Sequence, residues 1–177
     1  MSRAEALAAD LESSYTTFAT YLESLSPDQW RTPAANHPQI AAGEDERRLV
    51  GVIAHHVGET VPMFAERARR IATGEPLDPI SLAEMDAANA RHAAVHTNPD
   101  QAETVAMLRD NVERASEMIR ELSDDDLDRP GAGELSSWTA EQLIRRVLIG
   151  HATWHEGSIR ATLEGSSEGV EAPHGAR

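Results

Sequence analysis

The chain has 177 residues, and its 30 acidic and 16 basic side chains give a formal net charge of −14 at pH 7. This length is typical of one domain with a core of its own. The sequence contains no cysteine, which excludes disulfides, a cysteine nucleophile, cysteine ligation of zinc and a redox CxxC site. Because Lys and Arg carry most of the affinity for phosphate backbones, the acidic balance argues against nucleic acid as a partner.

The N-terminal segment lacks the features of a signal peptide. Residues 1–6 show neither a basic start nor an apolar run, and no later segment approaches about twenty uninterrupted apolar residues. We therefore expect a soluble cytoplasmic protein that does not contact a membrane.

The first long helix is predicted over residues 3–25, where apolar residues recur every three or four positions. A short helical turn should follow it, because Ser26 and Gln29 have capping-box spacing and Pro27 suits a first helical position. Residues 31–44 contain proline, asparagine and glycine and are predicted to form a loop.

The second long helix is predicted to begin in the acidic residues 44–46 and to end at Gly74, with acid at the positive end of the helix dipole. Pro62 lies inside this helix and cannot donate a hydrogen bond to the carbonyl of Gly58. We therefore expect a kink about one turn after His56.

A long, partly helical connection follows. Residues 75–81 are a proline-containing linker, a helix is predicted over about 82–95, and Asn98 and Pro99 mark a break. The third long helix is predicted to start with Asn98 as N-cap and Pro99 at its first position, and to end near Leu122.

The fourth long helix is predicted to begin at Thr139, which has capping-box spacing with Gln142, and to end at Gly165. The remaining tail, residues 166–177, is small and polar and is expected to be disordered. The folded domain is therefore expected to cover residues 1–165.

Two histidines in the fourth helix are candidate metal ligands. His151 and His155 are four residues apart, so both imidazoles lie on one helix face and can bind one divalent ion. The best source of a third ligand is the pair His55 and His56 in the second helix. Three neutral imidazoles would leave a position for water or a thiolate, although histidines at this spacing also occur by chance as packing or surface residues.

An internal repeat separates the two candidates for third ligand. Residues 25–33 and 122–130 share a helix end, a serine cap, acidic residues and a closing proline, which indicates two related helical hairpins. An offset of 95 residues then places His56 on His151, whereas His55 falls on a glycine. We prefer His56 as the third ligand and keep His55 as the alternative.

A rival pair, His92 and His96, is also four residues apart. It has few large apolar neighbours and lies just before the break at Pro99. We interpret it as a solvated pair at a helix end.

The order of these motifs resembles the DinB/YfiT-like family of metal-binding four-helix bundles. The resemblance rests on Leu-Ser-Pro-Asp-Gln-Trp at 25–30, Val-Ile-Ala-His-His-Val-Gly-Glu at 52–59, Leu-Ser-Asp-Asp-Asp-Leu at 122–127 and the final His-x-x-x-His. The family includes bacillithiol- and mycothiol-dependent S-transferases and mycothiol-dependent maleylpyruvate isomerase.

The resemblance implies an all-α, up-down four-helix bundle with a long, partly helical second connection, often paired as a homodimer. It also implies a metal site of His56, His151 and His155 that binds zinc or nickel. The implied activity is that of a metal-dependent transferase, which activates a low-molecular-weight thiol for attack on a small electrophilic substrate.

Two other functions remain open from the sequence. A metal-bound water in place of the thiol would make a hydrolase, with Glu59 as a secondary candidate for general base. The second of these functions is that of a non-catalytic helical module that binds metal or a partner. Inward-facing histidines without any ligand would leave polar groups unsatisfied, which argues against a purely packing role.

Overall fold

The computed structural model describes residues 1–35, 47–77, 80–131 and 138–165. It confirms an all-α fold with one very small sheet. In chain order the elements are α1 (Arg3–Ser24), α2 (Pro27–Trp30), β1 (Pro33–Ala35), β2 (Arg47–Leu49), α3 (Val50–Thr73), α4 (Leu82–Val95), α5 (Gln101–Arg120), α6 (Asp124–Asp128), α7 (Ala140–Leu143), a π-helix (Ile144–Ile149) and α8 (Gly150–Leu163).

Four long helical units surround one apolar core. Helix α5 packs along both α1 and α3, and the continuous unit of α7, the π-helix and α8 packs against α1 and α3. Burial of each large apolar side chain contributes roughly 1.5–3 kcal/mol, so these interior residues hold the bundle together. Fully buried examples from the four units are Leu7, Leu11, Phe18, Ile53, Val57, Leu108, Ile119, Leu148 and Ile159.

The two halves of the chain show the same order of elements, as the repeat indicated. Helices α2 and α6 both begin with a complete capping box, from Ser26 and Ser123 respectively. Each is followed by an antiparallel backbone pairing that starts at a proline, Pro33 with Leu49 and Pro130 with Thr139. Each half therefore leads from a long helix through a short capped helix into a histidine-bearing helix.

The start of α3 differs from the prediction. The helix begins at Val50, and the predicted start at residues 44–46 lies outside the described part of the chain. The backbone of Arg47–Leu49 pairs with β1, and the Val50 N–H donates to the carbonyl of Thr32 at 3.0 Å. Residues 47–49 therefore have an extended backbone. Because the helix begins only after them, its first turn contains no acidic residue.

Trp30 determines how closely α3 can approach the neighbouring turn. Its indole Nε1 donates to the carbonyl of Pro99 at 2.9 Å, and a Cβ atom on Gly51 would overlap the ring. Only glycine allows the first turn of α3 to pass the indole at this distance.

Pro62 lies within α3, which continues through it to Thr73. The carbonyl of Gly58, which Pro62 cannot pair, accepts a hydrogen bond from the buried Asn111 side chain at 2.9 Å. The partner that the backbone lost is therefore replaced by a side chain of α5.

Helix α4 has the predicted bounds, with Ser81 in a capping box. The predicted start of the third long helix is wrong by two residues, because Asp100 and not Asn98 is the N-cap of α5. Asp100 accepts from the Glu103 N–H, and Pro99 lies before the cap, where its carbonyl binds Trp30. Asp and Asn are equally good N-caps, so tertiary contacts decide between them.

The fourth long helix has the predicted ends but not the predicted regularity. Thr139 forms its capping box and Gly165 follows it with a φ of 71°. Between them the backbone widens into the π-helix Ile144–Ile149, directly before His151. The predicted tail, residues 166–177, lies outside the described residues.

Within the described ranges, no helix combines the length and the apolar character needed to cross a membrane.

Candidate metal centre

The three histidines preferred from the sequence lie together. His56 comes from α3, and His151 and His155 come from α8. One ring nitrogen from each lies within 4.8 Å of the corresponding nitrogens of the other two. The His56 ring is 5.4 Å from that of His151 and 5.6 Å from that of His155, measured between ring centroids.

The spacing of these nitrogens fits a single metal ion. The Nε2 atoms of His151 and His155 are 3.1 Å apart. Two nitrogens bound tetrahedrally to zinc at about 2.05 Å would be about 3.3 Å apart. At most one of the two Nε2 atoms can carry a proton directed at the other, so at least one lone pair points into the space between them.

Burial keeps these imidazoles in the neutral form that binds metal. It lowers the pKa of His151 to about 3, with a further contribution from His56. It lowers the pKa of His56 to about 4, with contributions from His92 and His55. His155 is buried as well, with 2% of its surface exposed. At neutral pH a metal ion would therefore not compete with protons at His56 and His151.

Thr60 orients one of the candidate ligands from one turn further along α3. Its hydroxyl donates to the His56 carbonyl at 2.9 Å and lies 3.5 Å from Nδ1 of His151. With the hydroxyl proton on the carbonyl, the oxygen lone pair favours a proton on Nδ1 of His151. That tautomer leaves Nε2 available to a metal.

Two aromatic rings pack against the imidazoles. Phe64 meets the His151 ring edge-on at 5.2 Å, and Trp154 meets the His155 ring at 4.7 Å. The indole therefore supports the position of a candidate ligand.

The remaining candidates form a second cluster next to the first. His55, Glu59, His92 and His96 each offer a ligand atom, and these atoms also lie within 4.8 Å of one another. His55, the alternative third ligand, lies in this second cluster, whereas His56 lies with His151 and His155.

Glu59 and the rival pair occupy positions that differ from our expectations. The Glu59 carboxylate lies 3.3 Å from Nε2 of His92 and 3.9 Å from Nε2 of His96, so its contacts are with the second cluster. The interpretation of His92 as a solvated residue is wrong, because its side chain is only 9% exposed. The sequence contained a signal for this cluster, since His55 and Glu59 have the same four-residue spacing as His92 and His96.

A solvent-accessible groove of about 490 Å³ lies beside the centre. Arg47, Arg48, Val52 and Ala93 are among the residues that line it. A much smaller void shares the last three of these residues and is also lined by His56 and His92. The groove and the void therefore lie next to each other, and the void reaches one candidate ligand of each cluster.

The model of one protein family, described as the DinB superfamily, matches residues 10–158. The matched region includes all of the histidines and the glutamate in both clusters. Comparison with curated proteins and with solved structures gives no match.

Proposed function

Since the chain belongs to the DinB superfamily, we propose that His56, His151 and His155 hold one divalent metal ion in a metal-dependent transferase. The second substrate is a low-molecular-weight thiol, which attacks a small electrophile. The observation that carries the proposal is the convergence of three largely buried imidazoles from α3 and α8 at the spacing of metal ligands. A bound divalent ion lowers the pKa of a thiol or water molecule in its open position towards neutrality.

The protein's own residues support this role in three ways. The three-nitrogen set leaves a coordination position open, which is the pattern of catalytic and not of structural sites. Thr60 orients His151. The chain has no cysteine, so the sulfur of a thiol-dependent reaction comes from a second molecule.

The groove offers space for a small substrate beside the centre. Its lining includes the side chains of Arg47, Arg48, Val52 and Ala93. Zinc and nickel both suit an all-imidazole site.

Elemental analysis of the untagged protein, equilibrated with buffered zinc or nickel, tests the metal site. We expect His151→Ala and His155→Ala each to bind about one ion per chain fewer than the wild-type protein. Thr153→Ala is the matched control, because Thr153 lies between the two histidines on α8 and is exposed. Unchanged metal content in both histidine variants would contradict the proposal.

An S-transfer assay tests the activity. The zinc- or nickel-loaded protein is incubated with mycothiol, bacillithiol, glutathione or cysteine and an electrophilic halide, and formation of the thioether is measured. We expect one thiol to react faster than in the uncatalysed control, and His151→Ala to abolish this difference. A loaded protein that accelerates the reaction of none of these thiols would contradict the transferase, while leaving the metal site intact.

A further inference from the structure

We propose that His55, Glu59, His92 and His96 form a second divalent-metal site, which fastens α4 to α3 and lies beside the first site. The proposal does not depend on the transferase activity.

The donor atoms come from two helices in matching pairs. Helix α3 contributes His55 and Glu59, which are four residues apart and so lie on one helix face. Helix α4 contributes His92, and the C-cap residue of α4, His96, follows four positions later. Nδ1 of His55 is 2.9 Å from Nε2 of His92, which is in turn 3.3 Å from the Glu59 carboxylate. The His55 and His96 rings stack, with centroids 4.1 Å apart.

The donor set differs from that of the first site. Three imidazole nitrogens and one carboxylate oxygen complete a tetrahedron around zinc, which is the closed pattern of structural sites. Glu59 also supplies a negative charge that partly neutralises the ion. The described ligand set of the first site contains no such carboxylate. The second cluster would therefore form a closed site with four protein ligands, whereas the first would leave one coordination position open.

Helix α4 lacks the apolar face that usually docks a helix. None of its residues is buried, and Leu82 and Val95 are 64% and 72% exposed. A helix of 14 residues is marginal in water without tertiary packing. The hydrogen bond and ion pairs that the structure records between α4 and α3 all lie within the cluster. A metal ion at this point would supply the docking interaction that the apolar residues do not.

The two sites lie on neighbouring faces of α3. His55 and His56 are consecutive on α3 and point about 100° apart around the helix axis, so one faces α4 and the other faces α8. The His56 ring lies 5.5 Å from that of His92. An ion in the second site would hold α4 beside the first site and would complete one side of the groove, where Ala93 lies.

Zinc titration of the metal-free protein tests the site by stoichiometry. We expect about two zinc ions per wild-type chain, about one in His92→Ala and in Glu59→Gln, and about one in His151→Ala. The double variant His92→Ala, His151→Ala should bind none. Arg91→Ala and Glu66→Gln are matched controls on the same two helices, and both residues are exposed.

The pattern of losses separates the two sites. If His92→Ala and Glu59→Gln bind as much zinc as the wild-type protein, the second site does not exist, whatever His151→Ala shows. If only His151→Ala retains its full zinc content, the first site fails and the second stands.

Hydrogen–deuterium exchange tests the role of the metal in docking α4. We expect zinc to slow exchange of the amides in residues 82–95 by at least about tenfold in the wild-type protein and in His151→Ala, because docked helices exchange only after opening. In His92→Ala zinc should leave this exchange unchanged. Equal slowing in His92→Ala would overturn the proposal that a metal at this cluster fastens α4.

Discussion

At the scale of single residues, the histidine-bearing helix depends on a polar side chain from another helix. Pro62 leaves the carbonyl of Gly58 without its helical donor, and the buried amide of Asn111 provides one at 2.9 Å. Gly58 lies between His56 and Glu59, so this bond supports the part of α3 that carries candidate ligands of both clusters. A carbonyl buried here without a partner would cost about 1–3 kcal/mol.

A double-mutant cycle measures this compensation. We expect Asn111→Ala to lower the free energy of unfolding by about 1–3 kcal/mol. In a Pro62→Ala background the cost should be smaller, because the new N–H of residue 62 pairs with Gly58. Urea denaturation of the four proteins gives the coupling energy.

The exposed residue Asn98 supplies the control for this cycle. Asn98→Ala should change stability by less than about 0.5 kcal/mol. Strictly additive costs for Asn111→Ala and Pro62→Ala would contradict the compensation.

At the scale of elements, the π-helix Ile144–Ile149 sets the position from which His151 projects. A π-helix is rare and occurs mostly as a single turn inside an α-helix, frequently at a functional site. The buried Tyr15 hydroxyl donates to the carbonyl of Leu148 at 3.0 Å, and Ser14 reaches the carbonyl of Ile149 at 3.5 Å. Burial raises the pKa of Tyr15 far above its usual value, so the hydroxyl remains a donor at physiological pH.

Tyr15→Phe removes this donor and keeps the ring. We expect it to lower the free energy of unfolding by about 0.5–1.5 kcal/mol, because it removes one buried hydrogen bond. Zinc affinity at the first site should fall roughly tenfold, as is typical when a group that positions a ligand is lost. Calorimetric titration of the His92→Ala background isolates that site.

Tyr21→Phe is the matched control, because Tyr21 lies on the same helix and is only partly buried. Its ring packs beneath the Arg160 guanidinium, a contact that phenylalanine retains. Unchanged zinc affinity in Tyr15→Phe would show that the position of His151 does not depend on this bond.

At the scale of the whole molecule, the bundle concentrates unprotonated histidines at one place. Burial lowers the pKa of His56 and His151 to about 4 and about 3, and it lowers the pKa of His55 and His92 in the same direction. The unfolded chain has ordinary histidines with a pKa of about 6.5, so between about pH 6.5 and pH 4 it binds more protons than the folded chain. Acid therefore favours unfolding of the metal-free protein.

The expected homodimer, the cytoplasmic location and the thiol stay predictions.

The metal-free protein should lose stability as the pH falls from 7 to 5. We expect a loss of about 2 kcal/mol for each of His56 and His151, since one pKa unit corresponds to about 1.4 kcal/mol. Urea denaturation at several pH values measures this slope. Paired carboxylates with lowered pKa values, such as Asp128 and Glu141, contribute mainly at lower pH.

His151→Phe provides the comparison for this slope. The variant removes one titrating group and retains an aromatic ring, so its loss of stability between pH 7 and pH 5 should be about 2 kcal/mol smaller than that of the wild-type protein. Equal slopes in the two proteins would contradict the assignment to His151.

Much of the architecture follows from the sequence alone, because its causes are local. Periodicity predicted the long helices, and three-residue spacings predicted the capping boxes of α2 and of the last helix. The pair His151 and His155 requires only one turn of helix, and the repeat favoured His56, which lies beside this pair, over His55. These interactions span a few residues, or copy one half of the chain onto the other.

The tertiary structure decided the rest, because the causes lie on other elements. Pairing with β1 delays the start of α3 to Val50. Hydroxyls of α1 contact backbone carbonyls at the end of the π-helix, just before His151. The second cluster exists only because α4 lies against α3 at one rotation and height, which brings His92 to His55. A sequence specifies which face of a helix each side chain occupies, whereas the packing of the helices determines which faces meet.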